Sequence, residues 1–277
     1  MKHAYLIIVH HNFEVLKYLV ESLDDVRNDI FIHFDKKVKN IPELETQYSK
    51  LHVLKDRIDV RWGHVSQIHT ELKLLECAAK EGKYEYFHLI SGTHFPLKNQ
   101  NAIHEFFDQV NNLSVMSPLP STEEEIERKL GYRHYFIGET SSPNKFIRKL
   151  SNYAWRFFLR CQMVSRKRVR NLFKGKYTNW ASLCYEDVAG ILRLKNHLLK
   201  KFRYTLCGDE LYKAYALNLM KNGFINRDDY LFQKFDKASP VFLELSDAME
   251  LEHSSCLFAR KFSDDNIKSF IDVLTQK

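Results

Sequence analysis

Two pairs of adjacent charges carry the side chains best suited to chemistry. Residues 207–210 read Cys-Gly-Asp-Glu and set the carboxylates Asp209 and Glu210 directly after a glycine. A carboxylate within reach of a hydroxyl acts as a general base, although carboxylates at a helix N-terminus also serve as plain dipole partners. Residues 257–262 (LFARKF) set Arg260 and Lys261 between Phe258 and Phe262. Packed aromatic neighbours can hold two such cations toward an anion, and two solvated charges beside a core edge give the same pattern. A third stretch, residues 84–98 (YEYFHLISGTHFPLK), begins as an apolar run that predicts a buried central strand and stops at Ser91-Gly92. Glycine permits turns and close approaches that side chains forbid, so Thr93 and His94 are expected to face a cleft at the strand's carboxyl end, where open α/β sheets bind ligands. An ordinary loop closed by Pro96 is the competing reading.

Elements that position these groups follow from periodicity. Residues 4–9 (AYLIIV) predict a strand ending at His10-His11-Asn12, and Asn12 suits the N-cap of a helix carried by Val15, Leu16, Leu19, Val20 and Leu23. Residues 30–34 predict a second strand ending at Asp35, with Lys36-Lys37 behind it. Strand, helix, strand and then a carboxylate is the order in which a βαβ nucleotide site places its ribose or base ligand, and it equally describes a loop or capping aspartate. After Pro42 a polar segment reads as helical, and residues 51–54 and 58–60 read as short strands leading to Arg61-Trp62-Gly63. Ile68, Leu72, Leu75 and Ala79 then mark an amphipathic helix capped near Ser66. Further on, Trp180 stands ahead of a helix with Val188, Ile191, Leu192 and Leu194, and Leu211, Tyr212, Tyr215 and Leu219 recur at helical spacing behind Glu210. Alternating strands and helices predict an α/β protein with an open, mostly parallel central sheet flanked by helices.

With 277 residues, 44% hydrophobic and 28% charged, the chain has ordinary globular composition and length for one α/β domain or two closely fused ones. The run at residues 4–9 is too short for a signal segment or membrane span, which predicts a cytoplasmic protein. Five scattered cysteines without a CxxC pair predict reduced, mostly buried thiols and no metal site. His10, His11 and His33 lack a carboxylate or thiol at zinc-like spacing and read as structural. Residues 145–176 carry eleven Lys or Arg and no acidic residue, interleaved with Phe146, Ile147, Leu150, Tyr153, Trp155, Phe157 and Phe158; with a chain total of +7, the remainder is near −4. Such a segment suits a membrane surface, an anionic lipid carrier or nucleic acid, and a solvated basic face shares the pattern.

Taken in order, AYLIIVHH with IHFDKK, RWGHVS, LISGTHFPLK, NWASL before the Gly-Asp-Glu segment, and SCLFARKF span most of the chain. With these motifs the chain resembles the core-2/I-branching β-1,6-N-acetylglucosaminyltransferases and the related peptide O-xylosyltransferases, in a bacterial-type member without a Golgi disulfide framework. The basic middle segment is not part of the resemblance. It implies a GT-A type fold over a single catalytic domain, residues 1–277, with a nucleotide-binding half at 1–110 and an acceptor and catalytic half at 111–277. It also implies inverting, metal-independent transfer from a UDP-sugar, with N-acetylglucosamine as the best guess, to a hydroxyl of a glycan or lipid-linked oligosaccharide. Glu210 matches the family's catalytic glutamate. Asp35 is expected to bind the uridine, Ile8 to line the base pocket, Trp62 to stack on the uracil, and Arg260 and Lys261 to hold the diphosphate. His94, Trp180 and Asp209 are candidates for donor-sugar or acceptor contacts.

The sequence departs from the family at two points. Ser91-Gly92-Thr93-His94 stands where GT-A enzymes usually carry a cation-binding DxD, and His94 stands where members commonly have aspartate. An earlier family arginine falls near Ala238, where Lys237 or Arg227 is the candidate replacement. Work at the cytoplasmic face of an inner membrane is the expected setting, with peripheral contact to anionic lipid. A function of another class is a nucleic-acid or anionic-membrane binding module in which residues 145–176 bind and the sheet is scaffold.

Overall fold

In the computed structural model, residues 2–164, 175–236 and 239–275 are described. Part of the basic segment, residues 165–174, and both Lys237 and Ala238 lie outside them. In chain order the elements are β1 (His3–Val9), α1 (Phe13–Leu23), β2 (Asn28–Phe34), β3 (Lys50–Val53), α2 (Ser66–Glu81), β4 (Tyr86–Ser91), β5 (His94–Pro96), α3 (Gln100–Val110), β6 (Ser114–Pro118), α4 (Glu123–Gly131), α5 (Lys145–Val164), β7 (Tyr177–Cys184), α6 (Tyr185–Arg193), α7 (Lys195–Phe202), α8 (Tyr212–Met220), β8 (Phe224–Asn226), β9 (Leu231–Gln233), β10 (Phe235–Asp236), β11 (Ser239–Pro240), α9 (Ala248–Glu252), β12 (Phe258–Arg260) and α10 (Ile267–Thr275).

Seven strands form the main sheet in the order β3-β2-β1-β4-β7-β6-β8. Its neighbours are parallel except where β7 meets β4 and β6. Alternating residues of each strand enter opposite layers. Tyr5, Ile7 and Val9 meet Leu16 and Leu19 of α1 and Ile103 and Phe107 of α3, whereas Ala4 and Leu6 join a cluster with Ile68 and Leu72 of α2, Val188 of α6 and Leu217 of α8. Burial on both faces is why the strand segments are nearly continuous apolar runs. A smaller sheet, β5-β12-β9, is backed by Val15, Leu243, Leu251, Phe262 and Phe270 and fastens the chain's end onto α1.

Several local expectations are corrected. No helix follows Pro42 and residues 58–60 form no strand; Ile58 instead donates its N–H to His33 Nε2 at 2.8 Å, so a side chain replaces the ladder. Trp180 stands ahead of α6 as expected, but inside a strand, β7, that the sequence pattern does not predict. Asn12 occupies the N-cap position in the left-handed region, φ 59°, without capping; its Nδ2 donates to the Phe262 carbonyl at 3.2 Å. Ser66 begins α2, and its hydroxyl accepts from the Arg61 N–H at 2.9 Å instead of capping the helix. Of the five free cysteines, Cys184, Cys207 and Cys256 are buried, Cys77 is half-buried and Cys161 is exposed. Among the described residues, no helix is long and apolar enough to cross a membrane.

Three buried histidines join β1, β4 and α3. His3 and His104 stack with ring centroids 4.0 Å apart, and His88 Nε2 lies 3.0 Å from His3 Nδ1. Burial first, and then the other histidines or Arg27, holds all three below the ordinary value of 6.5, His88 at about 3 and His104 at about 4. As the pH falls below 6.5 the unfolded chain takes up protons that the folded one refuses, so this contribution is complete above pH 6.5 and is lost progressively through pH 4 for His104 and to pH 3 and below for the other two. Urea unfolding at pH 7 and pH 5 is expected to show a loss of at most about 1.4 kcal/mol per pH unit for each histidine, and His104→Gln should flatten the slope. A stability independent of pH across this interval would contradict the neutral cluster.

Candidate active site

The carboxyl ends of β1, β2 and β4 meet at one edge of the sheet. Asp35 N–H donates to the Val9 carbonyl at 2.8 Å, and Gly92 N–H to that of Ile8 at 3.0 Å. A Cβ on Gly92 would lie 3.1 Å from Val9 Cγ2, so this glycine serves the close approach of two chains rather than an unusual torsion. Because β7 runs antiparallel to β4, with Ala181 opposite Leu89, its N-terminal end reaches the same edge. The chain's end arrives there too: Phe262 N–H donates to the Thr93 carbonyl at 3.0 Å, and Arg260 pairs with His94 in the β12–β5 ladder.

The expectation that Thr93 and His94 face a cleft is corrected, because both are buried. His94 Nδ1 lies 3.0 Å from the Ser91 N–H and 2.8 Å from the Ser91 hydroxyl. Its ring stands edge-on to Trp180, 5.0 Å away, and burial followed by the nearby Arg260 charge drives its pKa well down. A neutral His94 therefore holds the turn. Trp180 is itself buried, with the Arg260 guanidinium 5.2 Å from its ring centre.

Arg260 and Lys261 are half-buried cations for which no ion pair is found among the described residues. Arg260 Nη1 has a long contact to Gln233 Oε1 at 3.4 Å, while its Nε has no partner among the described residues. Burial lowers its pKa to about 10. Lys261 Nζ sits 4.6 Å from the centre of the Phe242 ring, and burial and then Arg260 lower its pKa. His10, just past the end of β1, lies near enough to both Asp35 and Lys261 to feel their charges, although burial is the main reason its pKa falls to about 4. Asp35 is buried and accepts from the Lys37 N–H at 2.9 Å and from Lys37 Nζ at 2.7 Å. Ile8 is half-buried against both main core layers, and Trp62 is 65% exposed, free to offer its face to a planar ring. Arg227 is instead paired with Asp229 at 2.5 Å.

The carboxylates occupy a short turn, Gly208–Glu210, fastened to the RWGHVS segment. Gly63, at φ +67°, accepts from the Cys207 N–H at 3.0 Å and donates to Gln67 Oε1 at 2.6 Å; Gln67 Nε2 then donates to Asp209 Oδ2 at 2.9 Å. One turn further along α2, Glu71 accepts from Lys213 Nζ at 2.6 Å and from the Tyr212 hydroxyl at 2.8 Å. Asp209 points inward, and burial, then Glu210 and Glu71, raise its pKa to about 7. Glu210 is the partly exposed member of the pair. Its Oε2 is 2.6 Å from Lys129 Nζ and 3.7 Å from Lys176 Nζ. Burial opposes the charge on Lys129, but Glu210 outweighs it and holds the ammonium above its ordinary range.

Lys129, Gln67, Glu71 and Lys213 were not singled out from the sequence. Their signal is a polar residue at a core position: Lys129 lies three residues after Ile126 and Glu71 three after Ile68, each on the buried side of its helix. Among the described residues, no three His, Cys, Asp or Glu side chains converge for a metal ion. An open groove of about 560 Å³ beside β3 and α2, lined in part by His52, Lys55 and Lys73, contains none of these site residues.

The fold is that of an open α/β sheet, a class in which ligands generally bind outside the strand carboxyl ends. The Core-2/I-Branching enzyme family model matches residues 3–188, well over half of the chain, and the chain belongs to that family. Its fold is therefore GT-A-like and its activity that of a glycosyltransferase, with a sugar donor and a glycan acceptor. No curated protein matches the chain.

The Glu71–Lys213 pair has almost no solvent access, 1% and 2% for the two side chains. Removing one partner of such a pair strands a buried charge, so Lys213→Met is expected to lower the unfolding free energy by about 3–5 kcal/mol. Adding Glu71→Leu should restore much of it. A Lys213→Met protein as stable as the parent in urea would refute this account.

Proposed function

We propose that the enzyme transfers a sugar, N-acetylglucosamine as the best guess, from a UDP-sugar to a hydroxyl of a glycan or lipid-linked oligosaccharide, with inversion and without a metal ion. One observation carries this reading: Arg260 and Lys261 are partly withdrawn from water at the carboxyl edge of the sheet without a carboxylate partner among the described residues. A diphosphate is the anion that matches two adjacent cations. Charge develops on it as the bond to the sugar breaks, and cations already in place stabilise that charge without reorganising.

Asp35 would accept a hydrogen bond from the uridine through lone pairs that Lys37 leaves open, with Ile8 and Trp62 enclosing the base. Glu210 would accept the proton of the attacking hydroxyl. Its ion pair with Lys129 would keep it aimed, and its partial exposure would leave an oxygen accessible to an acceptor. Asp209 would support the turn from behind, since its carboxyl is buried and its Oδ2 is engaged by Gln67. His94 and Trp180 would shape the sugar pocket from beneath, through Ser91 and Arg260.

Release of UDP from a panel of UDP-sugars in EDTA, with and without glycan acceptors, tests the reading. Turnover should persist in EDTA, and its abolition would remove the metal-free step. Glu210→Gln is expected to reduce transfer by about 100-fold or more while UDP still raises the melting temperature. Lys261→Met should weaken UDP binding. Undiminished turnover in Glu210→Gln would remove Glu210 from the mechanism.

A further inference from the structure

Among the described residues, the contacts that fix helix α5 to the protein lie along one side. Ser151 is buried, Trp155 Nε1 donates to His134 Nδ1 at 3.1 Å, and Gln162 Oε1 accepts from the Arg133 N–H at 2.8 Å. Away from that side, Phe146, Leu150, Tyr153, Phe157 and Val164 recur at spacings that stack them on one face, and they are 74%, 59%, 64%, 62% and 93% exposed. Single exposed apolar residues are ordinary, but a continuous stripe along roughly 30 Å of helix marks an interaction surface. Lys145, Lys149, Arg156 and Arg160 form a second stripe alongside it, and α5 contains no acidic residue.

We propose that this face docks on an anionic lipid bilayer, with α5 lying in the plane of the interface, its apolar stripe among the acyl chains and its cationic stripe against the headgroups. Charge complementarity selects this occupant. In a symmetric contact with a second copy of the chain, the cationic stripes would oppose one another, which costs affinity. Nucleic acid would satisfy the cations and some of the aromatic rings, but Leu150 and Val164 offer no ring on which a base can stack. The anchored side of α5 gives the docking a direction. Trp155 packs on the cluster of Ile137, Leu206 and Cys207, which adjoins the Glu210 turn, and Glu139 beside it holds Arg61 at 2.9 Å. Under the transferase reading, the bilayer therefore lies on the side of Trp62 and Glu210, where an acceptor embedded in lipid would enter. The docking itself stands apart from that reading.

Flotation of the full chain with phosphatidylcholine vesicles, with and without phosphatidylglycerol, tests the proposal. Binding to the anionic vesicles should exceed binding to the neutral ones by about tenfold or more and fall as salt is raised. Phe146→Ser with Phe157→Ser should abolish it at an unchanged melting temperature, and Lys145→Gln, Lys149→Gln, Arg156→Gln and Arg160→Gln together should remove the preference for anionic lipid. Equal binding to both vesicle types, binding to neither, or binding that survives the Phe substitutions would overturn the proposal. So would a dimer in sedimentation that the Phe substitutions dissociate, or single-stranded RNA binding in place of vesicle binding.

Discussion

A polar ladder along α2 and the loop before it fixes where the Gly208–Glu210 turn can sit. Gly63, Gln67 and Glu71 are four residues apart and engage Cys207, Asp209 and Lys213 in the same order. Two segments separated by about 140 residues in sequence are thereby held in register, rung against rung. The two upper rungs are hydrogen bonds and the lowest is a buried ion pair. A buried pair adds little net stability over a hydrophobic substitute, but it penalises any arrangement in which either charge loses its partner. That makes it suited to fixing the position of a turn. Glu210 projects from this turn toward Lys129, so the aim of the partly exposed carboxylate is inherited from contacts that are mostly withdrawn from solvent.

The two candidate cations are positioned by a different device. Arg260 and Lys261 are carried by a short strand that pairs with β5 and β9, and their backbone is fastened at both sides: the Lys261 carbonyl accepts from the Leu243 N–H at 2.8 Å, and Phe262 donates to Thr93. Phe262 is buried in the cluster that packs on α1. Burying the aromatic neighbours thus draws the cations inward, and both lose affinity for their protons. A carboxylate partner would relieve this and also occupy the place where an anion could bind. Among the described residues no carboxylate supplies that relief, which is why the diphosphate is assigned to this pair in the proposed reading.

Much of the frame was legible in the sequence because one physical pattern produced it. The strands β1, β2 and β4 are buried on both faces, so their apolar runs are nearly unbroken, and α1, α2 and α8 show helical spacing. The strand β7 was not legible. Its sequence, YTNWASLC, has no clean apolar run, and its place between β4 and β6 is set by tertiary pairing and by residues such as Ser182, which bonds to His88 and Tyr230 rather than packing as a hydrophobe. Missing β7 also hid how Trp180 reaches Arg260. His94 was misread for a related reason. A glycine turn at a strand end suggests side chains open to a cleft, but the ladder with β12 covers this one, and the histidine turns back to hold Ser91.

Of the candidate site, the charges themselves were visible and their partners were not. Asp35, Glu210, Arg260 and Lys261 stand in short motifs at strand or turn ends, where sequence order alone suggests a ligand edge. Lys129 and Lys213 look like ordinary helix charges until the fold shows which side of the helix they occupy. The contrast follows from what local pattern encodes. Strand ends and glycine turns are properties of neighbouring residues, whereas an ion pair between α4 and the Glu210 turn depends on how far apart two packed helices settle. The basic helix α5 was conspicuous in composition, but charge count could not say which side faced out. Only the anchoring of Trp155 and Ser151 turns a basic segment into an apolar stripe bordered by cations, and it is that order of side chains, more than the net charge, that distinguishes a lipid surface from other polyanions.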